Sequence, residues 1–281
     1  MHGRKSLFKI NPAYTNAYAW NILGIEKAQY LINPFIKTIY DIFKFLKYPF
    51  SFNKKNDYTY LVIEPRYKAI DYFISNKFLY NQIIELSCGF SPRGINLTKN
   101  PDIKYIESDS SKVLNSKKNK VKFIYKKENI KRENHKFISL NLLKDDLDEK
   151  LSSSVNKNEK ILIIAEDITH YFDMEDLKII FTNIQNFLRK NSGGVFITDV
   201  FHEMDMKKSV LNKPLKKITR LFMPKFILDI YDSLEGKSFF KDCGFDFVET
   251  VNPLELSKNL DLKTNILSER GVVTIYIAHV F

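Results

Sequence analysis

Four short apolar runs of this chain each finish on residues that can do chemistry, in an order that suits one ligand lying across successive strand ends. The first, Ile83-Ile84-Glu85-Leu86, passes into Ser87-Cys88-Gly89-Phe90-Ser91-Pro92-Arg93-Gly94. This reads as a buried strand running into a tight turn, where small residues let backbone approach a ligand closely. In open α/β sheets ligands sit outside the carboxyl ends of the strands. The second run, Tyr105-Ile106-Glu107-Ser108-Asp109, places Asp109 20 residues after Gly89. A carboxylate at that distance suits ribose hydroxyls, as in nucleotide-binding βαβ units. The third is His135-Lys136-Phe137-Ile138-Ser139-Leu140-Asn141, and the fourth is Ile161-Leu162-Ile163-Ile164-Ala165, followed by Glu166.

Helices must lie between these strands to position them. Pro65 opens a helix through about Ser75, because proline is well tolerated in a first helical turn. Ser110-Ser111-Lys112-Val113 starts another on serines. Residues 115–134 are lysine-rich and read as exposed. A helix from Asp173 to Phe187 buries Leu177, Ile180, Phe181, Ile184 and Leu188, with Asp173 as N-cap and Asp176 at capping-box distance. Gly193-Gly194 ends it, and a fifth strand runs from Gly194 to Asp199. A helix at 234–242 leads to strand Phe245–Glu249, and the chain closes on strand Gly271–Ala278. Strands alternating with helices predict a doubly wound, mostly parallel α/β sheet. The last two strands lack a clear crossover helix, which predicts an antiparallel C-terminal edge.

Two segments stand outside this alternation. Residues 1–12 read as a frayed arm, followed by a helix over Ala13–Leu31 and an amphipathic, aromatic helix carrying Ile36, Ile39, Tyr40, Phe43 and Leu46. A polar connector at 51–58 separates them from the short apolar stretch Tyr60–Ile63. We read residues 1–58 as a helical cap and 59–281 as the main domain, with a helical lid insert at about 202–238, rich in methionine and leucine. The amphipathic helix fits a packed cap; a substrate lid or a membrane-surface helix stays open beside it.

Bulk properties narrow the class. Hydrophobic residues make up 44% of 281, enough for a full core. Two cysteines, Cys88 and Cys243, make neither a disulfide framework nor a zinc pattern, and fit a reducing, cytoplasmic setting. No secretory pattern opens the chain, and no window reaches about 18 uninterrupted apolar residues. The formal charge of +11 arises from a composition rich in Lys, Asn, Ile, Phe and Tyr throughout. It lacks the arginine-aromatic stripe that nucleic-acid binding favours.

The order of these motifs resembles the class I S-adenosylmethionine-dependent methyltransferases. Within them it resembles the leucine carboxyl methyltransferase family, including polyketide O-methyltransferase-like members, over about Tyr60 to Phe201. That family carries Glu-Leu-Gly-x-Gly-x-Asp-x-Arg where this chain has Glu85-Leu86-Ser87-Cys88-Gly89-Phe90-Ser91-Pro92-Arg93, so Ser87 and Ser91 depart from it. If the backbone at Ser87 needs a positive φ, the turn is strained. The other matches are Tyr105–Asp109 to Tyr-x-Glu-x-Asp, Asn141-Leu142 to Asp-Leu, and Ala165-Glu166…Tyr171-Phe172 to Ala-Glu-x-x-x-x-Tyr-Leu.

The resemblance implies a seven-stranded Rossmann-like fold, S-adenosylmethionine as cofactor, and a set of roles. Ser87 and Gly89 form the cofactor turn. Asp109, preferred over Glu107, holds the ribose, and Asn141-Leu142 meets the adenine. Glu166 holds the methionine ammonium or attracts the sulfonium. Arg66, in the helix before the first strand, meets the cofactor carboxylate by bidentate pairing, and Arg93, in the turn itself, does the same or locks the turn. Tyr171 lies near the transferred methyl, and His170 and His202 are candidate bases should the acceptor need one.

The expected activity is methyl transfer to an oxygen, carboxylate or hydroxyl, of a small-molecule or peptide acceptor, without metal. An RNA-binding methyltransferase and a non-catalytic methyltransferase-like binding protein are the alternatives. Base amino methylation commonly uses Asn/Asp-Pro-Pro-aromatic after strand four, and Glu166-Asp167-Ile168-Thr169 is unlike it.

Overall fold

The computed structural model describes residues 17, 20, 21, 23–32, 34, 37, 38, 63–202, 230, 232–256, 260 and 273–281. Most of the expected N-terminal helices, the 51–58 connector and the insert up to residue 229 lie outside these residues.

Seven strands form one sheet: β1 (Gln82–Glu85), β2 (Lys104–Asp109), β3 (His135–Ser139), β4 (Ile161–Ala165), β5 (Gly194–Val200), β6 (Phe247–Val251) and β7 (Thr274–Val280). Between them run α1 (Glu64–Asn76), α2 (Arg93–Leu97), α3 (Ser111–Lys127), α4 (Leu147–Leu151), α5 (Met174–Lys190) and α6 (Ser233–Asp242). The strand order is β3-β2-β1-β4-β5-β7-β6. Strands β1 to β5 are parallel, and β7 runs antiparallel to both β5 and β6. The expected antiparallel C-terminal edge is present: β6 and β7 pair antiparallel, with β7 next to β5 and β6 outermost.

Burial explains the strands. Every residue of β1, β4 and β5 is buried, as a parallel sheet covered on both faces requires. One face packs Ile84, Ile163, Phe196 and Ala278 against α5 and α6. The other packs Ile83, Leu162, Ile197 and Ile277 against α1. Helix α5 buries the face read from its periodicity, and the Asp173 side chain accepts from the Asp176 N–H at 3.0 Å. Its acidic first turn and basic last turn both suit the helix dipole.

Helix α3 corrects the reading of 115–134 as a lysine-rich exposed stretch. Leu114, Lys117, Val121 and Ile124 lie on one buried face, and the Lys117 ammonium bonds Glu107 at 2.7 Å. A third cluster joins Ala17, Trp20, Leu23, Ala28 and Leu31 to Tyr67 of α1 and to Val121 and Ile124 of α3. The described part of the N-terminal segment therefore packs directly on the sheet's helices. Of the expected insert, Asp232 caps α6 by accepting from the Leu234 and Glu235 N–H groups, so its last residues belong to the β5–β6 crossover.

The sheet order reverses between β1 and β4, which opens a crevice at their carboxyl ends. The site lies there.

Candidate active site at the strand switch point

A cavity of about 270 Å3 occupies the crevice. The β1 turn supplies Glu85, Ser87, Cys88, Gly89 and Ser91; the end of β2 supplies Asp109 and Ser110; the end of β4 supplies Glu166, Asp167 and Ile168. Trp20, Val113, Tyr171 and Phe172 complete the wall. Trp20, which sequence reasoning did not single out, sits with its ring 5.6 Å from that of Tyr67.

The turn is held by the residue expected to face a ribose. Asp109 accepts the Gly89 N–H at 2.9 Å through one oxygen, and the Ser110 N–H at 2.7 Å through the other. A carboxylate retains lone pairs beyond these bonds, so Asp109 can fix the turn and still receive ligand hydroxyls. Glu107, two residues before Asp109 in β2, lies on the same face of the strand. It lies deeper, fully buried between Lys117 and His135 at 2.7 and 3.2 Å. Burial opposes its charge, but Lys117 and His135 together hold its carboxyl below the ordinary range.

Ser87 has φ 51° and Gly89 φ 49°. The left-handed region costs a side-chain-bearing residue about 1–2 kcal/mol. The turn is therefore strained at the position where the resembling family has glycine. Ser87→Gly is expected to raise stability by about 0.5–1 kcal/mol, the relieved strain less glycine's larger entropy in the unfolded chain. A urea melt reads this, and a loss of stability would show that the serine side chain holds the turn.

Beneath the cavity lies a buried charge network. Arg66, with no solvent exposure, donates to Glu166 at 3.0 Å, Asp167 at 2.6 Å and Asp199 at 3.2 Å. Arg93, 1% exposed, donates to Asp71 at 2.6 Å, Glu85 at 2.8 Å and Glu166 at 3.0 Å. Its guanidinium lies 4.4 Å from the Tyr67 ring centroid. Glu166 therefore bridges both arginines. Tyr105 adds a hydroxyl donor to Glu85 at 3.0 Å. The Asp167 N–H reaches Asp199 at 2.6 Å from a residue at φ 65°, a conformation Asp tolerates better than most residues.

Five carboxylates share two guanidiniums, so neutralisation is incomplete. Burial drives the Asp199 carboxyl up to about 7 from 3.8, with Arg66 opposing and Asp167 and Glu166 reinforcing the rise. Burial likewise raises Glu85 against the pull of Arg93. Between pH 3.8 and about 7 the folded protein thus holds a proton on Asp199 that the unfolded chain has lost. Stability from this group is complete below the lower value and falls as pH rises toward the upper one. Asp199→Asn is expected to flatten that part of the melting temperature against pH. An unchanged profile would assign the slope to other groups.

Not every expected residue reaches the cavity. Arg66 and Arg93 support it from below without lining it. Asn141 is exposed, and its side-chain oxygen accepts the Leu143 N–H at 3.1 Å in a local turn. Leu142 is packed in the core. His202 is buried, with its ring bonded to the Tyr276 hydroxyl at 2.8 Å and near Thr274 at 3.3 Å, and it does not line the cavity. His170 lies in the 3-10 turn Thr169–Tyr171, and its side chain is outside the described residues. Glu85, Asp167 and Asp199 went unassigned in the sequence, although each ends or follows an apolar strand as Glu166 does.

Among the described residues no group of His, Cys, Asp and Glu could hold a metal ion, and no helix is long and apolar enough to cross a membrane.

Solved structures of similar fold include a duf574 family protein from Streptomyces avermitilis, at 11% identity over 94% of this chain and 96% of that one, with a TM-score of 0.61. A candidate O-methyltransferase from Nostoc punctiforme aligns at 14% identity over 99% of this chain and 74% of its own, with a TM-score of 0.52. The S-adenosylmethionine-dependent methyltransferase SibL aligns at 10% over 92% of this chain and 61% of its own, at 0.53. The chain shares its fold with these methyltransferase structures. Residues 55–185, which include β1 to β4 and the cavity wall they supply, match the family model described as leucine carboxyl methyltransferase. The comparison with curated proteins finds no match.

Proposed function

We propose that the chain binds S-adenosylmethionine in this cavity and transfers its methyl group to an oxygen of a small-molecule or peptide acceptor. The observation that carries the reading is the carboxylate-lined cavity at the sheet's switch point, whose lining, Trp20 apart, comes from the segment that matches the family model. The names of the SibL and Nostoc neighbours support the same cofactor and chemistry.

The residues present fit such a cofactor. Asp109 is set for the ribose hydroxyls, and the backbone of Ser87 to Gly89 lets the ligand come close. Glu85, Glu166 and Asp167 present negative charge to a cationic methionine end. When bound, the cofactor supplies the electrophilic methyl, so the protein's part is to bind, align and exclude water. Tyr171 and Phe172 wall the cavity beyond Glu166, where the acceptor would enter. An acceptor carboxylate is already ionised and needs no base, and no imidazole among the described residues lines the cavity.

Incubation with methyl-labelled cofactor and a size-fractionated cell extract tests this reading. Label is expected in a small-molecule or peptide fraction, released by mild alkali if the product is a carboxyl ester and retained if it is an ether. No label above a boiled-protein control would reject the activity.

One observation favours a second reading. Residues 111–136 hold nine lysines and Arg132 against two glutamates, most of the net charge of +11, and Lys112, Lys122, Lys126, Lys127 and Lys131 are exposed. Helix α3, which carries much of this charge, starts at the cavity wall with Val113. An acceptor carried on RNA would use that face. Filter binding that weakens steeply with salt would support it.

A further inference from the structure

We infer that the outward face of helix α3 docks on an anionic lipid bilayer, independently of what fills the cavity.

Helix α3 carries seven lysines and no acid. Leu114, Lys117, Val121 and Ile124 turn inward. Residues three and four apart share a face of a helix. Lys112, Asn115, Asn119, Lys122, Phe123 and Lys126 therefore make up the opposite face, and all six are exposed. The flank toward the N-terminal segment adds Lys120, whose ammonium donates to the Ile32 carbonyl at 3.0 Å, and the exposed Lys127, 4.9 Å from the Tyr30 ring centroid. The glutamates just beyond the helix are engaged elsewhere, Glu128 by Lys27 and Glu133 by Lys131. The lysines of the outward face thus keep their charge for a partner. Such a cluster attracts anionic headgroups, and the attraction fades within a Debye length.

The same lysines carry the RNA reading above, and two observations favour lipid. Phe123, between Lys122 and Lys126, is 62% exposed. An aromatic ring held out from a basic helix face is buried again at the boundary between headgroups and acyl chains. Nucleic-acid recognition favours arginine, whose planar fork pairs phosphates and stacks on bases. The outward face of α3 has none. Arg132, the arginine nearest to it in the chain, turns its guanidinium inward to the Ile95 carbonyl and to the Thr98 hydroxyl at 2.9 Å. Lysines on flexible stems and one apolar wedge suit a fluid surface that presents charge without fixed geometry. Helix α3 starts at the cavity wall with Val113, so docking on this face sets the cavity beside the bilayer.

Co-sedimentation of the full chain with vesicles tests the inference. Phosphatidylcholine vesicles with roughly one third phosphatidylglycerol are expected to bind at least about tenfold tighter than phosphatidylcholine alone, and less tightly as salt rises. Replacing Lys122→Gln and Lys126→Gln together is expected to cut that affinity about tenfold. Lys178→Gln with Lys190→Gln removes the same charge from exposed positions of α5, which packs on the sheet face opposite α1, and is expected to cost less than about twofold. Phe123→Ser is expected to weaken binding severalfold and leave its salt dependence unchanged. Equal binding of neutral and anionic vesicles, binding to neither, or equal losses from the two lysine pairs overturns the inference. So does an unchanged affinity in Phe123→Ser. Single-stranded RNA bound more tightly than the anionic vesicles at the same salt overturns it in favour of nucleic acid. None of these outcomes touches the cofactor reading, which ligand titration reads separately.

Discussion

Arg66→Met is expected to lower stability by about 3–5 kcal/mol, enough to unfold much of the protein at ambient temperature. Arg66 has no exposed surface and donates to Glu166, Asp167 and Asp199 at 3.2 Å or less. The net worth of an intact buried ion network is small, because desolvation offsets the attraction between its members. Removing one partner is different: the acids stay buried with nothing to neutralise them. Burial already drives the Asp199 carboxyl up with Arg66 in place, and Asp167 and Glu166 reinforce the rise. Arg66→Lys keeps the charge but presents a compact ammonium where a planar fork now spans three acids, and its loss is expected to be smaller. Urea melts at pH 8 read both. A loss below about 1 kcal/mol for Arg66→Met would mean that the acids are hydrated or rearrange freely.

Glu166→Gln is expected to weaken S-adenosylmethionine binding by at least about tenfold, since a charge-assisted contact is worth roughly 1.5–3 kcal/mol. The change is nearly isosteric and keeps one acceptor oxygen. It also relaxes the bridge between Arg66 and Arg93, so stability without ligand is measured alongside. The discriminating readout is the stabilisation by ligand, which for the unmodified chain reaches about 2.7 kcal/mol at 100 times Kd. A variant that melts differently but gains the same stabilisation would place Glu166 in the scaffold alone.

Much of the fold could be read from the residues, because burial writes itself into strand and helix composition. The apolar runs at β1, β4 and β5 and the periodic face of α5 were visible for that reason, as was the Asp173 cap. Pairing was harder. Alternation and apolarity show that a strand is covered, not which neighbour covers it, so the insertion of β7 between β5 and β6 could not be seen.

The site divides the same way. The strand-end acids Asp109 and Glu166 and the small-residue turn were identified by type and spacing. The enclosure of Arg66 joins residues 100 to 133 positions apart, and no local pattern encodes that. Lys117 was missed for another reason. Its composition speaks for the surface, yet its spacing from Leu114, Val121 and Ile124 already placed it on the buried face.

Direct titration of the purified full chain with S-adenosylmethionine tests the central claim most simply. One molecule is expected to bind per chain, with heats that vanish when the cavity is already filled by sinefungin. No detectable heat at millimolar ligand, or binding that sinefungin does not compete, would contradict a cofactor site at the β1–β4 switch point.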